Sequence, residues 1–191
     1  MSKLLGCIDL PLRLFLDANV LYGDLLRNLL LRLAAEKVCV VHWSMEVQRE
    51  WKQHLVTDAG YSEAVIERTQ QRMEAAFPTA KVTDYEALIP QLRLPDPDDR
   101  HVLAAALKAE ADVLVTFNLK DFPSSASANL TVQHPDEIIQ HLFLTNPEGC
   151  QIALNKLVAS LKNPPMTVVD IAAALERNQL PRSAALLRMW S

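Results

Sequence analysis

Short apolar runs alternate with stretches of helical periodicity over the first three quarters of the chain, and then the short runs stop. The runs cover residues 12–16, 38–42, 113–117 and 130–132, with a weaker one at 81–83. Each is brief and rich in Leu or β-branched residues. That is the pattern of strands buried on both faces. Between them, apolar residues recur at helical spacing over 20–35, from Ser44 to about Leu55, over 62–77 as far as Pro78, over 98–109 and over 135–144. Ser44 is placed to cap its helix, although Ser44-Met45-Glu46-Val47 falls short of a capping box. Strands alternating with helices predict a parallel sheet covered by helices, an α/β fold. After about Asn146 only helical stretches follow, at 148–161, 167–177 and 183–190, with Pro164-Pro165 between the first two. Thr167-Val168-Val169-Asp170 matches the looser capping box. The expected organisation is therefore an α/β domain over residues 1–145 and a C-terminal helical extension over 146–191.

Composition narrows this picture. Half of the 191 residues are hydrophobic, enough for a sizeable core, and only 4 are Gly, which disfavours turn-rich all-β folds. A formal charge of -4 leaves no overall basic surplus, so any nucleic-acid contact needs a local patch. Cys7, Cys39 and Cys150 make an odd count at no metal-ligand spacing, the usage of a reduced, cytoplasmic protein. Asp9, Pro11 and Arg13 interrupt the first apolar stretch, unlike a signal peptide, and the Leu-rich segment 25–35 is too short to span a bilayer. The serine-rich stretch 124–127 reads as a short loop.

Chemistry enters where apolar elements meet acids. Leu14-Phe15-Leu16-Asp17-Ala18-Asn19-Val20-Leu21 runs from a strand through Asp17 directly into a helix. In an open parallel sheet such a carboxylate sits at the carboxyl edge, where α/β proteins bind ligands. Two distant segments repeat the theme: Asp96-Pro97-Asp98-Asp99-Arg100-His101-Val102-Leu103-Ala104 and Val113-Leu114-Val115-Thr116-Phe117-Asn118-Leu119-Lys120-Asp121-Phe122. Glu50 lies on the helix after the second strand. Acids at several element ends suggest a site for a hard cation, which takes oxygen ligands, and hence phosphate chemistry. In a sheet ordered 3-2-1-4-5, strands one and four are neighbours, bringing Asp17 beside Asn118.

These residues, over roughly Leu12 to Leu144, resemble the PIN domain family of ribonucleases, and within it the VapC-type toxins of toxin–antitoxin pairs. The resemblance rests on residues 15–21, on Ser44 to Glu50, on 98–106 and on Val-Thr-Phe-Asn-Leu-Lys-Asp-Phe-Pro at 115–123. It implies a three-layer α/β/α fold and a metal-dependent endoribonuclease using Mg²⁺ or Mn²⁺. A metal-activated water would leave a 3′-hydroxyl and a 5′-phosphate. By position, Asp17, Glu50 and Asp99 are the first three metal acids. The family's fourth acid falls on Asn118, a departure; Asn118 can still ligate by its carbonyl or position a water, and Asp121, one turn on, could supply the missing carboxylate. The resemblance also implies RNA as substrate, a homodimer without membrane attachment, and a cognate antitoxin protein as partner.

Each acid has a plainer reading. Asp17 could only cap the following helix; Glu46 lies one turn before Glu50 on the same face; Asp98 and Asp99 could be an ordinary acidic helix start. Asp96 before Pro97 suits a loop. Thr116 is a candidate hydroxyl behind the acids. Arg49, Lys52, Arg100 and Lys120 flank them and could meet phosphates. His54 and His101 are set aside, because a metal-activated water needs no histidine base. Residues 167–190 could pass for a helix-turn-helix, although a docking pair is the more common use. Two rivals remain: a phosphohydrolase with Asp17 as covalent nucleophile, and a catalytically decayed PIN-fold RNA-binding or interaction module, motivated by Asn118.

Overall fold

The computed structural model describes residues 10–123 and 130–190. The readings made at Cys7, Asp9 and 124–127 lie outside them. Five strands form one parallel sheet: β1 (Leu12–Leu16), β2 (Cys39–Ser44), β3 (Lys81–Val82), β4 (Val113–Val115) and β5 (Thr131–Gln133). Their order is β3-β2-β1-β4-β5, as the sequence predicts. Central β1 pairs with β2 through Leu14↔Val41 and with β4 through Leu14↔Val113. Leu14, Phe15 and Leu16 are fully buried, as are Leu114 and Val115, which explains why these runs are continuously apolar. The chain leaves β1 towards β2 and later returns on the other side through β4. The β1/β4 boundary is therefore the switch point of the sheet.

Helices flank the sheet: α1 (Ala18–Tyr22), α2 (Asp24–Ala35), α3 (Met45–Thr57), α4 (Glu63–Ala76), α5 (Arg100–Lys108) and α6 (Pro135–Thr145). Ser44 caps α3 by accepting from the Val47 amide at 3.1 Å, and Val47, being apolar, returns no bond. The single helix expected over 20–35 is instead two. Gly23 is extended between α1 and α2 (φ −75°, ψ 110°), leaving carbonyls at the end of α1 without helical donors. Arg27, which interrupts the apolar periodicity of 20–35, is buried. Its guanidinium donates to the Leu21 carbonyl at 2.6 Å, pairs with Asp24 and lies 4.9 Å from the Trp51 ring centre. Short 3₁₀ turns at Glu86–Gln91 and Leu119–Asp121 are further elements that periodicity did not reveal.

Beyond residue 146 the chain forms α7 (Pro147–Ser160), α8 (Val168–Arg177) and α9 (Pro181–Arg188). Helices α7 and α8 pack on α2, and α7 and α9 on α6, so the extension shares one continuous core with the sheet layers. A Cβ at Gly149 would meet Val38 Cγ2 and Asn146 Oδ1 at 2.8 Å, so only glycine allows α7 this close an approach. The Thr167–Asp170 capping box forms in both directions, at 3.2 and 2.8 Å. Asp136 of α6 caps α9 from outside: its carboxylate accepts from the amides of Arg182 and Ser183 at 3.0 and 2.7 Å and from the Ser183 hydroxyl at 2.6 Å. The inward face of α9 carries buried Ser183, Ala184 and Leu187, so this pair is a docked one.

Candidate active site

Asp17 follows directly on β1 and caps α1 with its own side chain. Its Oδ1 accepts from the Ala18 amide at 2.6 Å, and its Oδ2 accepts from the Thr116 hydroxyl and the Asn19 amide, each at 2.7 Å. Two carboxylate oxygens offer about four lone-pair positions. Three are filled, and the carboxylate, only 6 % exposed, still lines an open cleft. Capping and cleft-facing are thus compatible here. Thr116 also accepts from the Asn118 amide at 3.0 Å, and Asn19 accepts from the Phe117 amide at 3.2 Å. The ends of β1 and β4 are laced together by side chains, which is why β4 stops at Val115 rather than running to Phe117. Asn19 was missed as a functional residue by sequence reasoning. Its only sequence signal is its place two residues past a strand-end Asp.

The cleft holds about 420 Å³ at the carboxyl edge of the sheet. Asp17, Glu50, Asp98, Asp99, His101 and Asn118 all line it, with Asn19 and Tyr22 on its α1 side and His54 and Asp58 on its α3 side. Glu50 bonds His101 Nε2 at 2.8 Å. Glu46 does not line the cleft; its carboxylate accepts from the Tyr85 hydroxyl at 3.4 Å and stands 3.7 Å from the other ring nitrogen of His101, Nδ1. Asp99 stands just before α5 but makes no capping bond, so its carboxylate is not spent on its own helix. Asp96 does shape the loop, accepting from the Asp98 amide at 2.9 Å. Lys52 is engaged by Glu67 and Gln70 rather than turned to the cleft.

Burial and like charge set the electrostatics. Burial pushes the Asp17 carboxyl up; hydrogen bonds from Thr116 and Ala18 oppose this, and the Glu50 charge adds to it. Asp99 is pushed up to about 6, first by burial and then by the charges of Asp17, Asp96 and Asp121. Asp121 thus acts on Asp99 although it does not line the cleft, whereas Asn118 does line it. Burial depresses the His101 imidazole, but the bond to Glu50 and the charges of Glu50, Glu46 and Asp17 outweigh it and hold His101 above its ordinary value. His101, set aside on sequence grounds, is the side chain that both acids of α3, Glu50 and Glu46, approach, at 2.8 and 3.7 Å. No spacing rule would have found it, because its partners lie on another helix.

The donor set suits a hard divalent cation. Several carboxylates line the one cleft, and their like charge makes the ionised forms unfavourable unless positive charge is added. Among the described residues no three His, Cys, Asp or Glu side chains stand together as a group that could hold a metal ion.

Residues 13–120 match the family model described as PIN domain, and residues 135–189 match one described as VapC50 C-terminal domain. A curated relative, "Putative ribonuclease VapC50" of Mycobacterium tuberculosis (strain ATCC 25618 / H37Rv), is 36% identical over 92 residues, 47% of this chain and 54% of the relative. The match therefore spans about half of that protein's length. No solved structure matches the chain.

Proposed function

This chain belongs to the PIN domain family, and from that premise we propose that it is a metal-dependent endoribonuclease, the toxin of a toxin–antitoxin pair. The observation that carries the reading is the convergence of Asp17, Glu50 and Asp99 on one cleft at the switch point, with Asp99 pushed up to about 6 by its neighbours' charge. Asp17, Glu50 and Asp99 would hold Mg²⁺ or Mn²⁺, with Asn118 or Asp121 in the fourth place. The chemistry supplied by such an ion is a water acidic enough to attack phosphorus and positive charge against the phosphoryl oxygens.

The protein's own residues do the rest. Thr116 and Asn19 hold the Asp17 carboxylate in one orientation through 2.7 Å bonds, so that its remaining lone pair faces the cleft. His101 bonds Glu50 at 2.8 Å and fixes the direction of that carboxylate at the cleft. Both are positioning residues. Cleavage between nucleotides would leave a 3′-hydroxyl and a 5′-phosphate. The partners in this reading are RNA, a cognate antitoxin and a second copy of the chain. Among the described residues no helix is long and apolar enough to cross a membrane; the free Cys39 and Cys150 thiols suit the cytoplasmic site of action in this reading.

Asn118 in the lining favours one rival, a decayed PIN-fold module that binds without cutting. Incubating the purified protein with total RNA in Mg²⁺, Mn²⁺ or EDTA separates the two. Cleavage with either metal and none in EDTA is the expected result. Undiminished cleavage in EDTA overturns the mechanism, and no cleavage under any condition favours the rival.

A further inference from the structure

The acid cleft does not end at α1. Asn19 and Tyr22 line it, and the same two residues line a second cleft of about 430 Å³ that runs on to the C-terminal end of α8. The two clefts adjoin at these shared residues, and together they are termed the trough. Its far wall comes from the C-terminal extension: Leu175, Arg177, Asn178 and Gln179. Packing of α8 against α2 brings that wall into place.

The chemistry changes along the trough. At the near end carboxylates crowd. At the far end the single acid is Asp24, and it is already engaged by the Arg27 guanidinium and by the Tyr61 hydroxyl at 3.1 Å. The remaining groups are two half-exposed phenol rings, Tyr22 and Tyr61, the apolar edges of Leu25 and Phe117, and Arg177. Arg177 sits on the last turn of α8, exposed, with no ion-pair or hydrogen-bond partner among the described residues. Beyond it the chain turns sharply, Asn178 donating to the Ala174 carbonyl at 2.8 Å and Gln179 in the left-handed region at φ 65°. Exposed aromatic rings beside an unpaired guanidinium are what unstacked bases and a phosphate need.

We infer that the far trough is a binding subsite for single-stranded RNA. Tyr61 and Tyr22 would stack bases, and Arg177 of the C-terminal extension would hold a backbone phosphate several nucleotides from the scissile bond. This rests on the endoribonuclease reading of the near end. It gives the extension a part in substrate selection: the nuclease layers supply the chemistry and α8 supplies the second wall of the groove.

The test uses the full chain and fluorescein-labelled oligoribonucleotides, a 10-mer and a dinucleotide, with binding followed by anisotropy in EDTA and cleavage followed in Mg²⁺. Arg177→Ala should lower the slope of log K against log salt for the 10-mer by about 0.7, one phosphate contact on a single strand. Tyr61→Ala should weaken 10-mer binding about 10-fold, and Tyr61→Phe, which keeps the ring, should restore it. In cleavage, both losses should appear in KM for the 10-mer and leave the dinucleotide, too short to reach, unaffected. Unchanged 10-mer affinity and salt slope in Arg177→Ala and Tyr61→Ala overturn the subsite, as does Tyr61→Phe behaving like Tyr61→Ala. Binding is read without turnover, so the subsite survives if wild-type protein binds the 10-mer in this manner but cuts nothing. In that case only the endoribonuclease reading falls.

Discussion

Two buried carboxylates, Asp17 in the cleft and Asp136 under the C-terminal helices, are almost equally hidden, at 6 % and 5 % exposure. Each accepts three hydrogen bonds from a mixture of backbone amides and side chains. Burial and bond count therefore do not tell them apart. What differs is the open side. All three of Asp136's donors belong to the start of α9, so its charge meets the positive end of a helix and the arrangement is complete. Asp17 keeps a face towards a cleft it shares with Glu50 and Asp99, and burial, with the Glu50 charge added to it, makes its charged form harder to hold. One region gains stability from its carboxylate. The other gives some up, which is how a site awaiting positive charge differs from a well-made cap.

Exchanging the two acids for neutral residues should break this comparison most visibly. Asp17→Asn should lower RNA cleavage in Mg²⁺ by about a thousandfold or more, a loss of the kind expected when a group central to transition-state charge is removed. Asp136→Ala should leave cleavage per folded molecule unchanged and cost about 3 kcal/mol, because buried donors at the α9 terminus lose their acceptor. That corresponds to a Tm lower by roughly 6–12 °C. Calorimetry alongside a cleavage assay checks both. If Asp17→Asn cuts normally, the site assignment fails; if Asp136→Ala melts normally, the docking account fails.

Asp99 sharpens the contrast within the cleft, since it carries the raised charge cost without Asp17's three bonds. Its folded value of about 6 lies above the ordinary 3.8. Stability from keeping it protonated is fully present below about pH 4 and is lost as pH rises through about 6. In EDTA at pH 8, Asp99→Asn should therefore melt a few degrees above wild type, and the gap should close at pH 4. Adding Mn²⁺ should stabilise wild type and not the variant. Equal melting at both pH values would show that the acids do not burden one another.

The smallest effects concern the fourth position. Asp121→Asn removes a charge that raises Asp99, so the pH midpoint of the Asp99 effect should move down. Asn118→Asp adds a carboxylate to the cleft lining and should tighten Mn²⁺ binding by a few-fold. Isothermal titration of both variants reads this directly. A loss of Mn²⁺ binding in Asp121→Asn alone would make Asp121 the fourth ligand, and wild-type values in both would remove this segment from the site.

The sequence by itself determined what depends on neighbours in the chain. Continuous apolar runs marked the strands, helical periodicity marked the helices, Thr167 and Asp170 announced their capping box, and Asp17 stood at a strand end. Those features follow from local sterics and from burial on one or two faces, which a single segment expresses alone. Glu50 could be preferred to Glu46 only through the family resemblance, not from spacing. Both lie on one face of α3 and both reach His101 of α5, Glu50 at 2.8 Å and Glu46 at 3.7 Å; what separates them is that Glu50 lines the cleft while Glu46 also takes the Tyr85 hydroxyl. The break at Gly23 was equally illegible, because the carbonyl it strands is met by Arg27 of the next helix. The wall that α8 lends to the cleft arises from packing on α2, more than a hundred residues earlier. Such decisions belong to the tertiary structure because each is a comparison of partners brought together only by folding, and hydrogen bonds and charges act over ångströms of space, not positions in sequence.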